Sequence, residues 1–246
     1  MFHAIDVLYL CPVQRCAFGA PYTTIAAEGR LRISTSVKPP YCTAAMNGYL
    51  DSVLDALMRR AGHEYAIVRL PAERAMAALH MGASDGEMPR IRGLEKQYPG
   101  IVCVDEPIIH YNFTAFTLPG GPCIQSWDDL KPFRVAYIIG WKIFETSVPR
   151  EADISPVPDA ECLFRMLREG RVEVVLHERF LGAAAARQEG LEVVASPVNV
   201  ATSDMFLYLS AKNALFAAPL AQTLRQMRSE GVLERLAQQT LGVSEP

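Results

Sequence analysis

The chain has 246 residues, of which 50% are hydrophobic and 21% charged, and its formal net charge is -3 at pH 7. That length suits one large domain or two lobes of ordinary size, and the balance is that of a globular protein, neither disordered nor membrane-spanning. The slight acidity argues against nucleic acid as the main partner, since phosphate neutralisation needs a basic face, and no uncharged apolar run approaches the roughly 18 residues that cross a bilayer.

Residues 1–28 differ in character from the remainder of the chain. Val7-Leu8-Tyr9-Leu10 forms an apolar centre and Ile25-Ala26-Ala27 a small-residue end before Glu28, the outline of an export signal. Asp6, Pro12 and Arg15 interrupt that outline and no Lys or Arg precedes it. An atypical signal peptide is the expectation; a tail or a misassigned start also fits. Of the six cysteines, Cys11 and Cys16 fall in this stretch, and Cys42, Cys103, Cys123 and Cys162 show neither a CxxC pair nor a cluster with His. A zinc site is therefore not expected. The four would permit three disulfide pairings, or stay as buried thiols.

From Arg30 onward strands and helices alternate. Leu31-Arg32-Ile33-Ser34-Thr35 alternates apolar and polar residues, as a short strand does, and enters Lys38-Pro39-Pro40-Tyr41. A helix comes next, with Tyr49, Leu50, Val53, Leu54, Leu57, Met58 and Ala61 on one stripe, closed by Gly62. Glu64 to Leu70 reads as a strand, and Pro71 as the first turn of a helix whose apolar face is Ala72, Ala75, Met76 and Leu79. Such close β-α-β-α succession points to a parallel sheet covered by helices.

Asp85, Glu87, Arg90 and Arg92 then crowd into the stretch from Ala83 to Arg92. Gly86 and Pro89 oppose a regular helix or strand, so the stretch reads as a loop at the end of a short buried strand. A loop there displays its charges where α/β folds bind ligands; a solvated charged turn is the other reading.

The second half begins with a β-prone run from Ile108 to Leu118 and resets at Pro119-Gly120-Gly121-Pro122. A turn at Ser126 to Leu130 leads to a strand from Arg134 to Ile139 and to Gly140-Trp141-Lys142 opening a helix. A weak strand near Ile154 precedes a helix from Asp159 to Glu169 capped by Gly170, then a strand from Val172 to Leu176 and an Ala-rich helix from Arg179 to Gln188. Leu191 to Val194 is a further strand, Pro197 to Asp204 a crossing, Met205 to Ser210 a strand, and the chain ends in two helices split at Gly231. No repeat with a period of 20 to 50 residues is present.

Several motifs in this order carry a resemblance. They are Lys38-Pro39-Pro40-Tyr41, Gly48-Tyr49-Leu50-Asp51, Gly82-Ala83-Ser84-Asp85, Val104-Asp105-Glu106-Pro107-Ile108, Gly170-Arg171-Val172-Glu173 and Arg228-Ser229-Glu230-Gly231. Their succession resembles the type II periplasmic solute-binding proteins, in particular the family 3 group serving polar amino-acid ABC transporters. The resemblance implies an α/β fold of two lobes with mixed, mostly parallel sheets and a two-strand hinge near Ala115 and Met205. Lobe one would combine residues 29–114 with 205–246, and lobe two would be residues 115–204. It implies an exported, periplasmic, monomeric protein that holds a small carboxylate-bearing ligand, an amino acid or a relative. Its partner would be a transporter permease, and no cofactor, metal or catalytic residue is expected.

Carried over residue by residue, the resemblance gives Arg90 as the guanidinium forking onto a ligand carboxylate; otherwise it pairs with Glu87 or Asp85. The loop before it is shorter than usual and lacks the customary Thr. At the second lobe's helix N-terminus, Gly140-Trp141-Lys142 stands where Gly-Thr is usual, either meeting the ligand or leaving Trp141 packed and Lys142 solvated. Glu178 falls at the position of an amine-binding Asp, with His177 beside it as a wall residue. Tyr41 either covers the ligand or packs in its loop, and Arg74 either reaches the cleft or pairs with Glu73 or Asp85. The chain lacks Gly-x-Ser-x-Gly, His-Glu-x-x-His, Gly-x-Gly-x-x-Gly and Walker motifs. A dehydratase-like enzyme on this fold, using Glu178 or Glu87, and a sensing module are the alternatives to a transporter component.

Overall fold

The computed structural model describes residues 29–243, with the side chain of Lys142 excepted, so the leader expected over residues 1–28 lies outside it. The N-terminal half runs β1 (Arg30–Thr35), α1 (Tyr49–Ala61), β2 (Glu64–Arg69), α2 (Ala72–His80), β3 (Gly86–Arg90) and β4 (Ile101–Cys103). The chain crosses on β5 (Ile109–Thr117) and continues through β6 (Arg134–Ile138), α3 (Lys142–Ser147), β7 (Asp153–Val157), α4 (Ala160–Arg168), β8 (Val174–Glu178), α5 (Arg179–Gln188) and β9 (Val194–Ala195). It returns on β10 (Ala201–Ser210) and closes with α6 (Ala217–Ser229) and α7 (Val232–Leu241).

The strands lie in the order β2-β1-β3-β10-β5-β8-β6-β7, with β4 also on β10 and β9 on β5. β1, β2 and β3 are parallel, as are β6, β7 and β8; β5 and β10 run antiparallel to their neighbours. This mixture stems from connectivity: helical crossovers return the chain in the same direction, whereas the two crossing strands run against it. β10 pairs with β5 over Ala201 to Met205 and with β3 and β4 over Phe206 to Ser210, so one unbroken strand belongs to both halves.

The helices form where the apolar spacing predicts. α1 buries Tyr49, Leu50, Val53, Leu54, Leu57 and Met58 completely, each side chain contributing about 1.5–3 kcal/mol relative to exposure. It ends at Gly62 in the left-handed conformation that glycine tolerates best. α4 starts where Asp159 caps the Cys162 backbone N–H at 2.8 Å. Cys42, Cys103, Cys123 and Cys162 are all free thiols.

The largest departure from the sequence reading is at Gly86–Arg90, which is strand β3 rather than a loop. Gly86 is there for space: a Cβ would stand 2.7 Å from Ile33 Cδ1 and 3.0 Å from the Tyr208 carbonyl oxygen. Pro89 is accommodated because the register against β10 shifts between Phe206 and Tyr208, and an irregular ladder spares the missing N–H. The last crossing strand also begins earlier than expected, at Ala201 rather than Met205.

Candidate functional site

A cleft of about 1730 Å³ opens between the two halves of the sheet. It exceeds the roughly 300–1,000 Å³ of a formed small-ligand pocket, as an open inter-lobe space should. One wall is built from the loop after β1, the start of α2 and the end of β3, with Lys38, Glu73, Arg90 and Arg92 bordering it. The opposite wall carries Tyr111 and Phe113 from β5, Trp141 from the β6–α3 turn, and His177 from β8. Thr202 to Phe206 of β10 form the side between them.

The first wall is organised by a buried ion pair. Arg90 Nη2 donates to Glu87 Oε1 at 2.7 Å and to the Ala72 carbonyl at 3.0 Å. The Arg90 side chain is 18% exposed, whereas that of Glu87 is fully buried. Residues three apart on a regular strand face opposite ways; the register shift beside Pro89 lets these two meet. Burial raises the Glu87 carboxyl above its ordinary value, and the Arg90 charge only partly offsets this. Glu87 Oε2 and Arg90 Nε are buried without a close hydrogen-bond partner, and an interaction with Ser34 also lowers the Glu87 carboxyl.

The second wall is aromatic. Trp141 lies flat on Phe144, 5.7 Å between ring centres and 5° between planes, and stands perpendicular to Phe113 at 5.8 Å. The His177 ring is 4.8 Å from Trp141, and its Nδ1 is 3.2 Å from the Glu178 carbonyl oxygen. Burial pushes the imidazole down to about 4, so His177 is uncharged at neutral pH.

No family model matches the chain. A protein of Shewanella oneidensis described as uncharacterized is 26% identical over 186 residues, spanning 72% of this chain and 70% of that one. Among solved structures, the GluR0 ligand-binding core in complex with L-glutamate superposes with a TM-score of 0.75 at 17% identity, covering 87% of this chain and 99% of that chain. A probable amino-acid ABC transporter extracellular-binding protein from Bacillus subtilis gives 0.74 at 15% identity over 87% and 99%. A histidine kinase sensor domain with similarity to periplasmic binding proteins gives 0.72 at 20% identity over 88% and 98%. The chain has the two-lobed type II solute-binding-protein fold.

On this solute-binding fold the sequence candidates separate into three groups. Arg90, Gly140 and Trp141 border the cleft, Arg90 on one wall and the other two on the opposite one. Gly140 has a φ of +89°, and its N–H donates to Glu145 Oε1 at 2.7 Å. Lys142 is the first residue of α3.

A second group is buried behind the walls. Tyr41 and Glu178 find each other there: the Tyr41 hydroxyl donates to Glu178 Oε1 at 2.9 Å, and both side chains are fully buried. Tyr41 also stacks on Tyr111 at 5.6 Å. Glu178 does not border the cleft, because it caps α5: its Oε2 accepts from the Phe180 and Leu181 backbone N–H groups at 3.0 and 2.9 Å. Burial pushes its carboxyl up to about 7 despite these donors. Glu87 belongs with this group, since it reaches the cleft only through Arg90.

The third group faces elsewhere. Asp85 accepts from the Arg32 backbone at 2.8 Å and from Asn213 at 2.9 Å, and pairs with Lys212 at 2.8 Å. Burial alone would raise its carboxyl, but the Lys212, Arg32 and Asn213 hydrogen bonds together hold it below the ordinary value. It ties the segment after β10 to β3 and does not border the cleft. Arg74 is exposed on α2 and likewise does not border it. The aromatic pair Tyr111 and Phe113 was missed as a site; its signal was the two-residue alternation of Ile109–Thr117, which sets both rings on one face.

Proposed function

We propose that the protein is an extracytoplasmic solute-binding protein that captures a small carboxylate-bearing ligand, an amino acid or a relative, in this cleft. The observation that carries the reading is Arg90: a largely buried guanidinium on one cleft wall, fixed at 2.7 Å by Glu87 and at 3.0 Å by the Ala72 carbonyl. A guanidinium fixed in this way is pre-organised for a carboxylate. Residues 29–114 with 205–246 would form one lobe and residues 115–204 the other, with β5 and β10 as the hinge. Arg90 would hold the carboxylate while Gly140, Trp141 and the start of α3 approach on closure. The partner would be an ABC transporter permease, with the protein acting as a monomer in the periplasm and binding its ligand without turning it over. The likeness to an amino-acid ABC transporter extracellular-binding protein supports this reading. The likeness to a histidine kinase sensor domain supports a second, in which the same cleft reports a ligand to a signalling partner.

A thermal-shift screen against amino acids, polyamines, dicarboxylates and sugar acids tests the binding reading. A ligand at about 100 times its dissociation constant adds roughly 2.7 kcal/mol of stability, and small-angle scattering should then show a smaller radius of gyration. A screen in which no carboxylate moves the melting point would overturn it.

A further inference from the structure

His177 borders the cleft and is held rigidly there. Its strand is paired, His177 lying opposite Thr114 on β5. α5 closes over it at Gly182, where a Cβ would stand 3.0 Å from His177 Cβ and 2.6 Å from Phe116 Cε2. A carbonyl oxygen can only accept, so the contact between Nδ1 and the Glu178 carbonyl places the imidazole proton on Nδ1. In a neutral ring Nε2 then holds a lone pair, and with Nδ1 turned to the backbone it is the acceptor that the ring offers to the cleft.

The nearby anions do not complement this acceptor. Glu178 is turned away, accepting from Tyr41, Phe180 and Leu181. Of the carboxylates that border the cleft, Asp159 caps α4, Glu189 pairs with Arg168 and Asp204 pairs with His110. Glu161 pairs with Arg165, and Glu73 is exposed on α2. Trp141 gives one ring face to Phe144. An ammonium group brought against this wall would meet aromatic rings and one neutral acceptor but no buried anion to offset its lost hydration. A hydroxyl needs a single acceptor.

We propose that His177 Nε2 accepts a hydrogen bond from the ligand and thereby selects carboxylates bearing a neutral donor, a 2-hydroxy acid above all, over the amino acid of the same shape. This rests on the proposed binding role of the cleft and names its ligand class.

Calorimetric titration with matched pairs tests it: lactate and alanine, 3-phenyllactate and phenylalanine, 2-hydroxyglutarate and glutamate. The hydroxy member of the pair that fits the cleft should bind at least about tenfold more tightly, the range set by one unmet buried polar group. His177→Phe keeps the ring and removes the acceptor, so it should weaken that hydroxy acid about tenfold or more. His177→Asp should turn the preference toward the amino acid. An amino acid bound more tightly than its hydroxy partner by the parent overturns the inference and leaves the cleft reading standing; so does a folded His177→Phe with unchanged affinity. Failure of every pair overturns the inference, while the cleft reading falls only if the wider carboxylate screen also shows no shift. The preference of the parent protein needs no variant, so a substitution that fails to fold does not shelter the claim.

Discussion

The two walls of the cleft solve opposite problems. The wall made by α2 and β3 brings full charges out of water and must balance them, which Glu87 and Arg90 do at 2.7 Å. The wall made by β5, α3 and β8 is aromatic, and its buried titratable groups Tyr111, His177 and Glu178 are all shifted toward their neutral forms. On the proposed reading, the charged wall would meet one end of the ligand and the aromatic wall, with its single acceptor, the other. Desolvation disfavours every unpaired charge, so a wall keeps its charge only where a partner is built in.

The strongest way to break the contrast is to unbalance the charged wall. Arg90→Ala strands a fully buried Glu87 and should cost about 3–5 kcal/mol at pH 7, because an uncompensated buried charge is left behind. The double variant with Glu87→Gln should recover most of that loss. Urea unfolding of the single and double variants at pH 7 and pH 5 checks both points. The single variant should lose less at the lower pH, because the Glu87 carboxyl is already raised by burial and loses the Arg90 charge that lowers it. Equal losses for the single and double variants would show that a stranded Glu87 charge is not the source of the loss.

The neutral wall predicts a cancellation. Glu178 rises from 4.5 to about 7, so its contribution to stability is present below about 4.5 and is lost as pH rises through about 7. His177 falls from 6.5 to about 4, so its contribution is present above about 6.5 and is lost as pH falls through about 4. Each is worth at most about 3 kcal/mol by linkage, and the two slopes oppose each other across the shared window. The parent should therefore vary little with pH there on account of this pair. His177→Phe should lose stability as pH rises from about 4.5 to 7, and Glu178→Gln should gain it from about 4 to 6.5. Denaturation midpoints for the three proteins between pH 4 and 7.5 decide it, and parallel curves would refute the assignment.

The smallest expected effect sharpens the same wall. Tyr41→Phe removes one of the hydrogen bonds to Glu178 and should cost about 1–2 kcal/mol. Since that bond lowers the Glu178 carboxyl, its loss should move the Glu178-dependent change to higher pH. An unchanged midpoint and pH profile would mean that the hydroxyl contributes no net stability.

Much of the fold was legible because its signals are local. The stripe of α1, the bounds of α5 at Arg179 and Gln188, and the break at Gly231 each depend on residues within a few positions of one another. The site was legible only in part. Arg90 was expected at the cleft from its charged stretch and from the resemblance, and Trp141 from the resemblance alone; both border the cleft in the structure.

Elsewhere the local signal misled, for physical reasons. Gly86 and Pro89 look like turn residues, yet Gly86 is small because β1 and β10 flank it, and Pro89 is tolerated because the β10 register shifts. Asp85, Glu87 and Arg90 look like one charged loop, but Asp85 anchors Lys212 and Asn213 while the other two pair with each other. Glu178 carries the charge expected at a ligand site, and the first turn of α5 together with Tyr41, 137 residues away, claims it. Sequence by itself determined most of the helices and strands and their order, since propensity, periodicity and caps act over a few residues. Only the tertiary structure decided which charges meet, which are buried and which side chains reach the cleft, because strand pairing and burial join residues that the chain keeps far apart.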